Sequence, residues 1–464
     1  MMDSMMPVFL WTDIMIWGLF ILIVMGIVQI LHDPQKRAQW HSVFQSKTAM
    51  VSVLVLLVYF SIALLDSVHF KNTPDAQDVT NSNTHKELIS VLDMGLEHLI
   101  QNTERTYSAP FALHEYSSTV VYGENGQVQQ VYLPLKHVAQ HIDMDKSLVT
   151  YDVLTQIVWA LMGALSLLMG IAIFHSYFYL NSLARQTAEV KQQRLPWGMA
   201  YLTLFSITFI GLAFYILSFD YHVLGTNKVG EDVLYQSLKS IRTGVLIGGL
   251  TTVVMLPLAL LLGISAGYFK GWIDDVIQYL YTTLNSIPGV LLIAAAVLVM
   301  QSIMSTHADW FGSTEERADM RLLFLILILG MTSWTGLCRL LRAETLKISQ
   351  IEYVTAAKAF GLKPFTIIRR HVFPNLVHLI LIALVLDFSG LVLAEAVLSY
   401  VGVGVDPTMP SWGNMINQAR LEMAREPMVW WSLVSAFIFM FILVLAANLF
   451  ADRVQWVLNP RSEK

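Results

Sequence analysis

Long apolar runs alternate with short polar stretches along almost the whole chain. A run of about 18 or more apolar residues is long enough to cross hydrocarbon as a helix. Such runs fall near residues 14–31, 49–66, 153–179, 198–219, 241–268, 277–304, 322–341, 377–401 and 430–450. They predict an all-α polytopic membrane protein with about nine transmembrane helices, since helices satisfy their own backbone groups in lipid. Two segments break the rhythm. The first, residues 67–152, opens on a turn-rich lead-in from Lys71 to Thr84 and then places Leu88, Leu92, Leu96 and Leu99 at helical spacing. From Thr119 to Tyr132 it alternates around Glu124-Asn125-Gly126, a hairpin signal. The pattern predicts a small α+β domain that leans on the membrane part or on a partner.

The second break is the polar, basic block from Glu352 to Pro374, set between two apolar runs. Ser349 can cap a helix, with Glu352 completing a capping box. Ala356, Ala357 and Ala359 then offer a small-residue face to another protein. Gly361 can end that helix in a left-handed conformation, and Pro364 can open the next one. Arg369 and Arg370 face headgroups or a partner, and Pro374-Asn375 marks the return into the bilayer. Periodicity alone equally allows an ordinary amphipathic connector.

Composition sharpens the membrane reading. Of 464 residues, 55% are hydrophobic and only 14% charged, whereas a soluble domain carries about 25% charge. A net charge of −5 gives no footprint for nucleic acid. The single cysteine, Cys338, excludes an intrachain disulfide and reads as a small buried hydrophobe. The first apolar run is preceded by Asp3 and Asp13 rather than by bases, which argues against a cleavable signal. Three loops carry the basic residues: Lys36, Arg37 and Lys47; Arg185, Lys191 and Arg194; and the block from Arg339 to Arg370. Alternating spans put all three on one side, and the positive-inside rule makes that side cytoplasmic. The N-terminus and the 67–152 domain are then outside and the C-terminus inside. His175 reads as an interfacial residue, and no metal-binding spacing occurs.

Here the sequence resembles a known family. Ala356-Ala357, Gly361, His371 and Pro374-Asn375 stand at the spacing of the EAA loop of ABC-importer permeases, the elbow that docks into the ATPase subunit. From about residue 198 to 464 the chain looks like the C-type permease of dipeptide, oligopeptide and nickel importers. Its anchors include His222-Val223-Leu224-Gly225-Thr226, Gly230-Glu231-Asp232, Gly271-Trp272-Ile273-Asp274, Ile287-Pro288 and Arg342-Ala343-Glu344. Others are Glu395-Ala396-Val397-Leu398-Ser399, Pro410-Ser411-Trp412-Gly413 and Asn459-Pro460-Arg461. The resemblance implies a six-helix type I importer core over 198–464, with a coupling loop at 343–376. Two N-terminal spans (1–66), the outer domain (67–152), and a third span with its linker (153–197) have no counterpart in the six-span form. The resemblance also implies a second, B-type permease, two ATPase subunits that use ATP and Mg, and an extracytoplasmic substrate-binding protein, in a bacterial inner membrane. This chain itself is expected to bind no cofactor and to perform no catalysis, for it has no G-x-x-x-x-G-K-[ST]. Thr355 stands where the family's loop has a glutamate, and Glu352, one turn earlier, is the candidate substitute. Asn227 and Glu231 likewise replace an acid and a base on the outer side.

Other positions keep two readings. Asp387 and Glu395 lie about 80° apart around one span, and acids there line a path or bond between subunits. Ser411, Trp412 and Asn414 follow a Gly- and Pro-containing outer loop and suggest a gate near the pore mouth, with an interfacial Trp as the alternative. Pro257 and Pro288 mark kinks, while Gly263 and Gly267 suit close helix packing. Peptide import leads, with nickel or another small solute as an alternative cargo. An ion-coupled carrier using Asp387 and Glu395, or a sensor built on the outer domain, would leave the elbow unexplained.

Overall fold

Lipid forces each apolar run to close its own hydrogen bonds, and the chain does so as helices. The computed structural model describes residues 6–71, 88–122, 128–138, 146–183, 195–311 and 313–458. Most of the 71–84 lead-in, the Glu124-Asn125-Gly126 turn, the bases Arg185, Lys191 and Arg194, and Asn459-Pro460-Arg461 lie outside the described residues. The first half runs β1 (Met6–Val8), α1 (Trp11–His32), α2 (Pro34–Phe44), α3 (Lys47–Leu65), β2 (His69–Lys71), β3 (Leu88–Ser90), α4 (Val91–Gly95), α5 (Glu97–Gln101), β4 (Thr119–Tyr122), β5 (Val128–Val131) and α6 (Lys146–Leu183). The second runs α7 (Trp197–Leu217), α8 (Val233–Phe269), α9 (Trp272–Ser286), α10 (Gly289–Thr306), α11 (Thr314–Ile348), α12 (Glu352–Ala359), α13 (Pro364–Ile367), α14 (Phe373–Tyr400), α15 (Trp412–Glu422) and α16 (Trp431–Leu458).

Among the described residues, nine helical stretches are long and apolar enough to cross a membrane, as the hydropathy pattern predicts. One span is drawn differently. The run near 277–304 is two helices, broken at Ile287-Pro288, where the extended backbone of Ile287 ends α9 and Pro288 caps α10. Proline has no N–H to continue the ladder, so a separate, one-sided α9 lies before the span proper. Half of the spanning residues of α8 and α11 are buried, against 6% in α1, so α8 and α11 form the centre. Gly263 and Gly267 serve that pairing, facing Cys338 and Thr345 of α11, and Cys338 is fully buried.

The 67–152 segment contributes β2 and β3 to a three-stranded antiparallel sheet in the order β1-β2-β3, whose first strand comes from Met6–Val8, and it also forms the hairpin β4-β5. The leucine repeat from Leu88 to Leu99 does not make one helix. Leu88 lies in β3, and Ser90 caps α4 with Asp93 in a capping box. A second short helix, α5, starts after a break at Leu96. Local capping overrides the longer periodicity.

This domain is fastened to the loop before α8. The Glu104 N–H donates to the Gly230 carbonyl at 3.0 Å, and Phe111 N–H to that of His222 at 3.1 Å. The Thr226 hydroxyl donates to the Thr106 carbonyl at 2.9 Å and accepts from Ser108 N–H at 2.6 Å. Gly230 has φ +79°, and a Cβ there would collide with the Glu104 backbone, so only glycine allows the approach. Beneath the joint, the His222 Nδ1–H donates to Asp232 at 2.8 Å, and its Nε2 faces Glu104 at ion-pair distance, 3.8 Å. Burial works against a charged ring, yet the two carboxylates outweigh it and raise His222 to about 9. Burial also opposes the Glu104 charge. His222 and the backbone N–H groups of Lys136 and His137 win, holding its carboxyl down to about 2.

Candidate functional site

The elbow is built by three local devices. α12 stops at a Schellman closure, with Gly361 N–H donating to the Lys358 carbonyl at 3.0 Å and Leu362 N–H to Ala357 at 3.2 Å. Gly361 takes φ +76°, as the sequence predicts. Lys363 is extended and Pro364 takes the first helical turn of α13. From Pro364 the helix runs without a break to Tyr400, so the helix that carries the next span begins ten residues before Pro374. Pro374 sits within that rod and cannot donate to the preceding turn, and a π-turn over Ile368–Val372 takes up the defect directly before it.

Ser349 does not start α12. Its hydroxyl donates to the Leu346 carbonyl at 2.8 Å as the C-cap of α11, and α12 begins after Ile351 without a side-chain cap. The polar residues after 341 extend α11 beyond the lipid, which apolar length alone does not reveal.

α12 has two faces. Val354 and Ala357 are buried against the core with Ile367 and Val372, and Lys358 lies over the Tyr268 ring at 4.6 Å. Ala357 therefore belongs to the inner face, not to an open small-residue surface. Glu352, Thr355 and Ala356 are exposed together at positions i, i+3 and i+4. The Thr355 hydroxyl donates back to Ile351 at 3.2 Å. Phe360 (86% exposed) and Phe365 (74%) project at the tip on either side of Gly361. The Asn375 amide donates to the Tyr353 hydroxyl at 3.0 Å and to the His371 carbonyl at 2.6 Å, tying the two arms at the base. The result is a rigid elbow with an aromatic tip.

The path candidates separate. Glu395 is buried, accepting from the Ser399 hydroxyl at 2.7 Å, with Ser411 and Gly413 against the same carboxylate. Ser411 caps α15 by accepting from Asn414 N–H. Trp412 is 1% exposed and donates to the Ser237 carbonyl at 3.2 Å. The Asn414 amide donates to Asp406 and Met409 carbonyls at 2.8 and 3.0 Å. Glu395, Ser411, Trp412 and Asn414 thus fasten the outer loop and α15 onto α8 and α14, inside the chain's own packing. Asp387 is half-buried and stands apart from them.

Residues 259–464 match the family described as the binding-protein-dependent transport system inner membrane component. The glutathione transport system permease protein GsiD of Pectobacterium atrosepticum is 30% identical over 240 residues, 52% of this chain and 73% of that protein. The chain belongs to this permease family. The oligopeptide transport system permease protein OppC of Mycobacterium tuberculosis is also 30% identical, over 241 residues and 76% of its length. The dipeptide transport system permease protein DppC of Bacillus subtilis is 28% identical over 240 residues and 69% of its length. As a permease of this family the chain spans the membrane and works within a multi-subunit transporter, and it is not itself an enzyme.

The segment before residue 259 carries a charge network that single-sequence reading misses. On α8 of this permease, Tyr235, Lys239 and Arg242 share a face. The Arg242 guanidinium donates to Asp13 at 2.6 Å and to the Thr12 hydroxyl at 2.8 Å of α1, and Asp319 of α11 lies 3.9 Å away. The Thr12 hydroxyl donates to Asp319 in turn. Lys239 pairs with Asp93 at 2.7 Å and Asp66 at 3.4 Å, and the Tyr235 hydroxyl donates to Asp93 at 2.7 Å. His69 also meets Asp13, at 2.8 Å. One sequence signal does exist: Lys239 and Arg242 are bases placed within a long apolar helix, where they are costly without counter-charges.

Proposed function

We propose that the chain is the C-type permease of an ABC importer for peptides, paired with a second permease and driven by two ATPase subunits. An extracytoplasmic binding protein delivers the cargo, and the N-terminus lies outside. The observation that carries this reading is the Glu352–Pro374 elbow. A buried inner face locks it to the spans, and the Phe360 and Phe365 tip stands free for a soluble partner. ATP-driven closure of the ATPase pair would push that tip. The continuous helix from Pro364 to Tyr400 would pass the movement into the membrane. Peptide cargo is supported by the glutathione, dipeptide and oligopeptide permeases the chain resembles.

The test is co-purification from native membranes followed by uptake of a labelled dipeptide in proteoliposomes. The intact chain should bring down an ATPase and a second permease, and uptake should require ATP. Phe360→Ser with Phe365→Ser should lose the ATPase while keeping the second permease. Active transport by the chain with no ATPase present would overturn the proposal.

A further inference from the structure

Asp387 stands at the centre of α14, 14 residues after Phe373 and 13 before Tyr400. A carboxylate within a membrane span is costly unless it is paired or reaches water. Glu395 and Asp319, two other acids set within core spans, are held by hydroxyl and guanidinium partners. Among the described residues, nothing donates to or pairs with Asp387. Asp387 lies at the edge of an uncovered stripe of α14: Leu386 (49% exposed), Leu393 (45%) and Val397 (49%) are open, while Ala383 and Leu391, one turn before and after the acid, are buried. Gly390, one turn on, has open space where a side chain would stand. The half-buried acid therefore flanks a face that the described residues of this chain leave uncovered.

We propose that Asp387 is the contact for the cargo's ammonium group within the translocation path; the inference rests on the peptide-importer reading above. The α-ammonium is the group that glutathione, dipeptides and oligopeptides share whatever their side chains, so one carboxylate serves a range of sequences. A transient pairing also fits the helix that carries it. Asp387 rides on the rod that begins at Pro364, about 35 Å away at 1.5 Å per residue. A permanent ion pair to a second subunit would pin that rod against the elbow's movement, whereas a passing cargo cation would not.

Two measurements on the assembled transporter test this. Asp387→Asn should lower ATP-dependent dipeptide uptake on the order of tenfold, the size of one lost charge-assisted contact. Asp387→Glu should restore most of it. The chain's only cysteine is Cys338, so Cys338→Ala with Asp387→Cys places a single thiol at the site. A small water-soluble cationic thiol reagent should modify it, and saturating dipeptide should protect it. Unchanged uptake in Asp387→Asn would overturn the proposal, as would a thiol that resists the reagent. Release of the second permease by Asp387→Asn would overturn it too, assigning the acid to the subunit joint. Failure of the unsubstituted transporter to take up dipeptide sinks the peptide reading instead, whatever the labelling shows.

Discussion

Arg242 of α8 and Asp13 of α1 meet 2.6 Å apart, joining two segments separated by 229 positions in the chain. Both are almost fully buried, so neither charge has water to fall back on. Thr12, Asp319 and His69 complete the arrangement. Through it the first helix, the strand β2 after α3 and the two central helices α8 and α11 are held together at one end.

Removing one member of a buried pair strands the other, at a cost of about 3–5 kcal/mol. Asp13→Leu is therefore expected to lower the thermal midpoint of the detergent-solubilised protein clearly. Asp13→Leu with Arg242→Met should recover part of that loss, since no orphan charge then remains. A single substitution as stable as the parent would show that the pair is not buried in the membrane-embedded protein.

The Gly361 turn offers a second check. With φ +76° and no neighbouring atom within 4 Å of an added Cβ, the cost of Gly361→Val is backbone strain and not collision, roughly 1–2 kcal/mol. The protein should still insert and fold, while ATPase co-purification drops. Gly361→Asn, which tolerates the left-handed region, should retain more binding than Gly361→Val.

Glu352 and Thr355 share the exposed face of α12, so an acid at either site can present charge in the same direction. Glu352→Gln should weaken ATPase binding by up to about fivefold, the range of one exposed ion pair. Thr355→Glu in that background should restore it. Equal affinities in a titration of ATPase onto the permease would remove Glu352 from the contact.

The joint between the outer domain and the core is expected to depend on pH. His222 is raised to about 9, so its contribution is complete below the ordinary histidine range and is lost as pH rises through about 9. Glu104 is lowered to about 2, so its contribution is present above the ordinary carboxylate range and fades as pH falls toward 2. Protection of the Glu104 and Phe111 amides, which bond Gly230 and His222, measured as exchange relative to an unstructured amide at the same pH, should be greatest in the mildly acidic to neutral interval and fall near pH 9. His222→Gln should abolish that alkaline loss of protection.

The spans were legible because lipid demands length and apolarity, and both are visible in a single sequence. The elbow's Gly361 and Pro364 were legible for a similar reason: few residues accept those backbone conformations. Other features depend on what surrounds a residue. Ser349-x-x-Glu352 reads as a helix start, yet Ser349 closes α11 because that helix continues past the membrane face. Ile287-Pro288 interrupts an apolar stretch without changing its hydropathy, so one run conceals two helices. Glu395, Ser411, Trp412 and Asn414 are polar or aromatic residues near an outer loop whose partners turn out to be each other and the backbone nearby. For the Asp13–Arg242 contact the sequence shows only an isolated base in a long apolar helix, and nothing local names its partner.

The π-turn at Ile368–Val372 lies between the elbow and the membrane half of one unbroken rod. A wide turn departs from the i→i−4 ladder that stiffens the rest of the rod. Under the proposed coupling, whatever displaces the Phe360 tip must pass through that one change of hydrogen-bond pattern before it reaches the span, so the five residues Ile368–Val372 are the gearing of the lever.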